Sequence, residues 1–525
     1  MKRYLTILEV SQKQAYIFAS NKLRDNVINS AVIAYVISPG YLTKILEGSG
    51  FSEEKNVISS GGGNTVLEFS DEDKAKEAVR KITETVYREF DGLELFAKTI
   101  ACEEAASLTE SLKELKKALE RKKSVRRAAF HQGTYGIEMI CPKTLSVETK
   151  NKDSKEKEEL QERELKQVAK QFCPKDFEVV NDFKKLGGEK NESNFISVVH
   201  IDGNGMGARV DSLYQEIEKE DWETAKAKLR RFSREIDNDF KAAFREMAEE
   251  IGESLKNGSL KGKLALESNN FPVRRVITAG DDICYVTEGR IGIESARIFI
   301  EKLTNKKNNV DKKGYSACAG VAIVHQKYPF YRAYELAEML CSNAKKYGAG
   351  ISPEDNGSSI SSIDWHIEFG ELKDSISKIR ENYVTTDGNQ LELRPYIIAA
   401  PRNIMDDKTY VARKYSSFKR SILTILADES KYGTGKVKGL RAALKKGETA
   451  TKNYLSFYQM EQILIENRPR NEEISEEDIE QFFTGQAKKR EAFIGQPDQK
   501  KHSTLFDAIE MMDTYLAIEK GGEAS

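Results

Sequence analysis

The 525-residue chain has little of what builds covalent or membrane-anchored scaffolds. It holds six cysteines and no C-x-x-C pair, which excludes a disulfide framework and a strong zinc site. No apolar run approaches the roughly 18 residues of a membrane span; the longest, residues 31–37, has seven. The start, Met1-Lys2-Arg3-Tyr4, lacks an apolar core segment and a small-residue cleavage site, so no signal peptide is expected. The cytoplasm is the expected compartment. Charge of one sign is missing too: 83 basic and 84 acidic residues leave −1, so no global basic field holds nucleic acid. One basic run remains as a local candidate, Arg121, Lys122, Lys123, Arg126 and Arg127. Such runs usually cap a solvated helix end.

What is present is charge, at 32% of residues, beside 39% apolar residues. That balance belongs to a soluble globular protein. At roughly 150 residues per domain, the length suggests two to four domains.

The chain contains one unit twice. The first copy opens with an alternating strand over residues 4–10, followed by helix to about Val36. Two β-type runs then flank the turn Gly61-Gly62-Gly63-Asn64, which predicts a hairpin. A charged amphipathic helix over 73–90, a strand near 97–102 and a helix ending near Arg121 close the unit. The second copy starts with a strand at 195–202. A long helix follows, marked by Leu229, Phe232, Ile236, Phe240, Phe244, Met247 and Ile251. A hairpin turns at Ala279-Gly280-Asp281-Asp282, and a helix (291–304), a strand (315–324) and a helix (329–347) complete the order. Residues 145–193 are mostly charged, and 150–170 predict a helix or a flexible connector. Beyond about residue 370 the pattern turns helical, with four segments at 422–426, 440–444, 454–465 and 505–518.

Asp202 ends a strand, and Asp281 and Asp282 sit in a hairpin of the same unit. Neighbouring strands would bring the three carboxylates to one edge, where they raise each other's pKa. A hard divalent cation relieves that repulsion, and carboxylate oxygens suit Mg²⁺ or Mn²⁺. Two such ions can clamp an attacking hydroxyl and a leaving pyrophosphate. Gly203, Gly205 and Gly207 follow Asp202 and Gly280 precedes Asp281, so main-chain N–H groups can approach phosphate. Met206 and Gly207 open a predicted helix, whose N-terminus favours anions. Lys345, at the edge of the buried face of helix 329–347, can reach a triphosphate and stabilise developing charge. Taken singly, each string is more often a turn or a helix cap; their order on matching elements makes the joint reading.

This ordered set, Ile201-Asp202-Gly203-Asn204-Gly205-Met206-Gly207, Ala279-Gly280-Asp281-Asp282 and Ala344-Lys345-x-x-Gly348, resembles the GGDEF/adenylyl-cyclase palm. Within it the chain is most similar to the large, polymerase-like subunit of type III CRISPR effector complexes. Asn21-Lys22-Leu23-Arg24 and Gly61-Gly62-Gly63-Asn64 resemble that subunit's first palm. The resemblance implies an α+β fold: two ferredoxin-like, GGDEF-like palm domains (βααββαβ) packed as a pseudo-dimer. The expected divisions are a degenerate palm (1–125), a charged helical connector (126–194), a catalytic palm (195–370) and a C-terminal helical bundle (371–525). It implies a cyclic oligonucleotide synthetase that joins ATP into signalling rings during viral infection. Asp202, Asp281, Asp282 and Lys345 would be catalytic. Two Mg²⁺ or Mn²⁺ ions would be held by Ile201, Asp202, Asp281 and Asp282. Residues 203–207, Gly280, Gly61, Gly62, Gly63 and Asn64 would contact nucleotide. Partners would be ATP, CRISPR effector subunits with guide RNA, and a downstream effector that senses the product, with no membrane involved.

The two copies differ at the site. Gly63 falls opposite Asp281, Asn64 opposite Asp282 and Glu9 opposite Asp202. The first copy thus has one acidic group where the second has three, too few for two metals, and is expected to hold the partner nucleotide. Departures from the family are Ala279 in place of the first glycine, no His-Asp pair for an HD nuclease, and no zinc ribbon, Cys141 and Cys173 being unpaired. The alternative is a scaffold subunit with catalysis secondary or lost. A diguanylate cyclase is disfavoured by Asp-Asp in place of Asp-Glu and by the fused second palm.

Overall fold

The computed structural model describes residues 2–103, 106–125, 155–186, 194–267, 269–370, 375–427, 432–466 and 491–520. Two palm sheets organise them. In the first, β1 (Arg3–Val10), β2 (Val57–Gly61), β3 (Asn64–Phe69) and β4 (Leu95–Cys102) lie in the order β2-β3-β1-β4. The second contains β5 (Phe195–Gly203), β6 (Val273–Ala279), β7 (Asp282–Glu288), β8 (Ala317–His325), β9 (Ser361–Glu368) and β10 (Tyr396–Ala399), in the order β6-β7-β5-β8-β9-β10. Its first four strands repeat the order of the first sheet, as the duplicated pattern predicts.

The repeat extends to single hydrogen bonds. Glu9 pairs with Asn64 across β1 and β3, as Asp202 pairs with Asp282 across β5 and β7. Val10 N donates to Gly63 O at 3.0 Å, and Gly203 N donates to Asp281 O at 3.1 Å. Ser11 N donates to Glu94 O at 2.8 Å, and Asn204 N to Ser316 O at 2.9 Å. The turn that follows is left-handed in both copies, with φ 49° at Gln12 and 64° at Gly205.

The palms meet head to head. A Cβ built on Gly280 would lie 3.9 Å from Gly62 N, so the two hairpin turns abut. The helix Trp222–Asn257 buries the predicted apolar stripe and runs along β2 of the first palm. Its Lys226 Nζ meets Glu68 Oε2 at 2.7 Å, and its Arg230 donates to Val57 O. In return Asn21, from the first palm, accepts from Phe330 N at 2.7 Å. That bond caps the helix Phe330–Ile351, whose own N-cap, Pro329, supplies no side-chain bond.

Two strands escape the sequence pattern. β9 carries Asp364, His366 and Glu368, which read as an exposed face, yet every residue in it is buried. Arg380 pairs with Asp364 at 2.5 Å, so the charge is compensated inside. β10 lies beyond residue 370 and joins the same sheet. The expected helix at 505–518 ends at Met511. Beyond it, Leu516 N donates to Arg290 O at 2.8 Å and Ile518 N to Glu294 Oε2 at 3.1 Å. The tail therefore docks on the second palm instead of continuing its own helix. The segment expected at 454–465 divides into Glu448–Phe457 and Gln462–Glu466, with φ 56° at Gln459 between them. In the connector, helix covers Lys155–Glu162 and continues as tighter and wider turns to Phe172. Cys141 and most of the connector lie outside the described residues. Among the described residues no helix is long and apolar enough to cross a membrane.

Candidate active site

β5 and β7 are hydrogen-bonded neighbours, so Asp202 and Asp282 sit at one register position and Asp281 at the turn beside them. Gly280 takes φ 69°, which makes the two-residue hairpin possible. Gly203 is required by packing: a Cβ there would lie 2.9 Å from Asp281 Cβ. Lys345, on the helix Phe330–Ile351, donates to Asp202 Oδ2 at 2.6 Å and to Gly203 O at 3.0 Å. The sequence-predicted trio and its lysine are thus brought together at one sheet edge.

Their electrostatics are those of crowded acids. Burial, then the Asp202 charge, pushes Asp281 up to about 6. Asp282 is pushed to about 7 by burial, by Asp202 and by Glu338. The Asp282 side chain keeps 41% exposure, and the Asp202 and Glu338 charges push in the same upward direction against Lys13 and Lys345. Burial would lower Lys345, yet the Asp202 carboxylate and its hydrogen bond hold the ammonium above its usual value. His200 lies 3.5 Å from Asp282; burial lowers its pKa, so it stays neutral at pH 7.

Among the described residues no group of three or more His, Cys, Asp and Glu side chains is already arranged to ligate a metal ion. Asp202 is instead turned onto Lys345. The donor set nevertheless suits a hard cation. Asp282 Oδ1 is buried without a hydrogen-bond partner, and the acids repel one another, which is the imbalance a divalent ion corrects. Asp202, Asp281 and Asp282 would hold it, with the Ile201 main chain at the adjoining position of β5.

A cavity of about 900 Å³ opens between the hairpins, lined by Gly61, Gly62 and Gly63 of the first palm and Gly280, Asp281 and Asp282 of the second. Asp202, Lys345, Asn64 and residues 203–207 are not among its lining residues. Asn204 is buried, and its amide donates to Ile360 O at 2.7 Å. Gly205 supplies the left-handed turn before the helix Met206–Ile217, and a Cβ there would meet Ser358 Cβ at 2.8 Å. Met206 packs against the core, and Gly207 faces open space.

Sequence reasoning missed the roles of four groups at or beside this site. Lys123 donates to Glu9 Oε1 at 2.7 Å, the bond that Lys345 makes to Asp202. Each lysine is the sixteenth residue of its helix, Leu108–Ser124 or Phe330–Ile351, so the repeat itself carried the signal. Lys122 also turns inward, donating to Ala97 O at 2.7 Å; two lysines of the basic run therefore serve their own palm. Lys13 and Glu338 line or flank the cleft from helices and had no motif to mark them.

Residues 195–350 match the family model "Cas10/Cmr2, second palm domain". No curated protein matches the chain. Among solved structures, the Csm1-Csm4 cassette in complex with cA4 aligns at 14% identity and TM-score 0.53, covering 98% of this chain and 69% of that one. Csm1 in T. onnurineus aligns at 15% identity and TM-score 0.52, covering 98% and 70%. The cassette in complex with cA3 aligns at 14% and 0.51, covering 98% and 69%. At these identities the likeness is one of fold. Together with the palm match it bears out the resemblance read from the motifs.

Proposed function

We propose that this Cas10-like chain is a metal-dependent nucleotidyltransferase that converts ATP into cyclic oligoadenylate, or a cyclic dinucleotide, for antiviral signalling. The observation that carries the reading is the convergence of Asp202, Asp281, Asp282 and Lys345 at one edge of the second palm, where Asp281 and Asp282 share a cavity with the first palm's glycine hairpin. One ATP would sit on each palm. Divalent ions on the second palm would supply charge neutralisation for the attacking 3′-hydroxyl and the leaving pyrophosphate.

This chain's own residues do the rest. Lys345 holds positive charge at Asp202, where phosphate charge develops. The abutting hairpins set the two nucleotides face to face, which replaces a bimolecular encounter by a fixed approach. The glycines at 61, 62 and 63 leave main chain open to phosphate.

Support from neighbours is of the same kind: structures of this fold are solved with cA4, cA3 and AMPPNP. Those structures are cassettes with Csm4, which favours a second reading, a scaffold subunit that docks partner proteins and guide RNA. Mass spectrometry of products from purified protein, given each nucleoside triphosphate with Mg²⁺ or Mn²⁺, tests the first. Cyclic oligoadenylate that disappears in the Asp281→Ala/Asp282→Ala variant is the expected result. Undiminished product in that variant refutes the site. No product from any triphosphate, with RNA co-purifying, favours the scaffold.

A further inference from the structure

The two palms differ most in one small volume. A Cβ built on Gly63 would fall 2.3 Å from both Cε and Nζ of Lys13. Gly63 is the counterpart of Asp281, by the matching bonds from Val10 N and Gly203 N. The Lys13 ammonium therefore fills the space into which the second palm projects a carboxylate.

Lys13 begins the short helix after β1 and donates to Gly62 O at 2.5 Å. Glu9 and Asp282 both lie within its electrostatic reach, and all three line the cavity between the hairpins. A second ammonium, Lys123, is bonded to Glu9. Lys123 also bonds Glu120 at 3.0 Å. The Glu9 carboxylate is thus already answered, and Lys13 is a further ammonium beside it. Neither of these two carboxylates is left without a cation to draw a divalent ion, whereas the Lys13 ammonium attracts an anion. An ammonium carries three donors, and Gly62 O takes one of them. The remaining donors adjoin the cavity that Lys13 lines together with Gly61, Gly62 and Gly63.

We propose that Lys13 is the resident cation of the first palm, holding the polyphosphate of the nucleotide bound there in place of a divalent metal. The proposal rests on the two-nucleotide reading above. It makes first-palm binding independent of metal and second-palm binding dependent on it.

The test is equilibrium binding of a non-hydrolysable ATP analogue to the purified full chain, with stoichiometry measured by calorimetry in excess EDTA and again in Mg²⁺. One nucleotide in EDTA and two in Mg²⁺ is the expected result. Lys13→Met should weaken the EDTA-resistant site by about tenfold or more, the size of one lost charge-assisted hydrogen bond, and leave the Mg²⁺-dependent site in place. Lys13→Arg should restore most of the loss. Asp281→Asn/Asp282→Asn should do the converse, removing only the Mg²⁺-dependent site. Circular-dichroism melting checks that each variant is folded, and Lys13→Gln stands in if the methionine variant is not. EDTA-resistant binding that survives loss of the ammonium overturns the proposal, as does a wild-type protein that needs Mg²⁺ at both sites. Absence of nucleotide binding in both buffers overturns the nucleotidyltransferase reading itself.

Discussion

Glu294 offers a test of what attaches the C-terminal segment to the second palm. It is fully buried on the helix Gly292–Thr304. Its carboxylate accepts from Tyr415 Oη at 2.7 Å, Arg297 Nε at 3.0 Å, Lys419 Nζ at 3.2 Å and Ile518 N at 3.1 Å. Burial opposes the charge, but Arg297 and Lys419 more than offset it, and the pKa falls from 4.5 to about 2. At about 1.4 kcal/mol for each pKa step of one, that lowering corresponds to about 3 kcal/mol of stability at neutral pH. Glu294→Gln keeps the shape and removes the charge. Arg297 and Lys419 retain Glu301 and Glu519 as partners, so the variant should lose about 3 kcal/mol and not the larger penalty of a stranded cation. Trp365 reports the event, since it stacks on Tyr396 at 5.4 Å and meets Phe418 at 4.6 Å. The only other tryptophan, Trp222, can be replaced by Phe. Urea unfolding followed by Trp365 fluorescence is the assay. The sign with pH is set by the depressed pKa: the contribution is present above about 4.5 and is lost as pH falls toward about 2. The gap between wild type and variant should therefore shrink between pH 5 and pH 3. A gap below about 1 kcal/mol at pH 7.5, the level of an ordinary surface pair, would refute the reasoning.

Other outcomes follow from the same geometry. Lys345→Met should lower kcat by about a hundredfold, the usual cost of removing one preorganised charge-stabilising donor, while Lys345→Arg retains part of it; steady-state product formation measures both. Glu392 behaves oppositely to Glu294: burial raises it to about 7, so its contribution is full below about 4.5 and lost as pH rises through 7. Urea unfolding at pH 5 and pH 8 should show a loss of up to about 3 kcal/mol that Glu392→Gln abolishes. Gly63→Ala places a Cβ on the Lys13 ammonium at φ 85°, and should cost about 1 kcal/mol or more, read as a lower melting temperature. Asn21→Ala removes the side chain that caps the helix Phe330–Ile351 and should cost about 1 kcal/mol, measured in the same way.

The palm repeat was legible because its information is local. Period-two apolar strands, a glycine hairpin and a period-3.6 stripe recur in the same order, and each survives in the structure within a few residues. The matching of Glu9 to Asp202 and of Asn64 to Asp282 came from hairpin spacing alone, and the strand registers agree. β9 was not legible, because its Asp364, His366 and Glu368 imitate an exposed face while Arg380 pairs with Asp364 from elsewhere in the chain. The end of the helix at 506–511 was not legible either, since the bonds that draw Leu516 and Ile518 away come from Arg290 and Glu294, more than two hundred residues earlier.

Residue type and order set the chemistry available to this protein: three aspartates with flanking glycines in one copy, and a single glutamate with bare glycines in the other. Those facts need no fold, because a carboxylate is an oxygen donor wherever it lies. Which cations answer those acids was decided by tertiary packing. Lys345 reaches Asp202 and Lys123 reaches Glu9 only because helices distant in sequence are laid against the strand ends, and Lys13 fills the place of a side chain missing from a hairpin far along the chain. Charge interactions depend on separation through space, and separation through space is the one quantity that spacing along a chain does not carry.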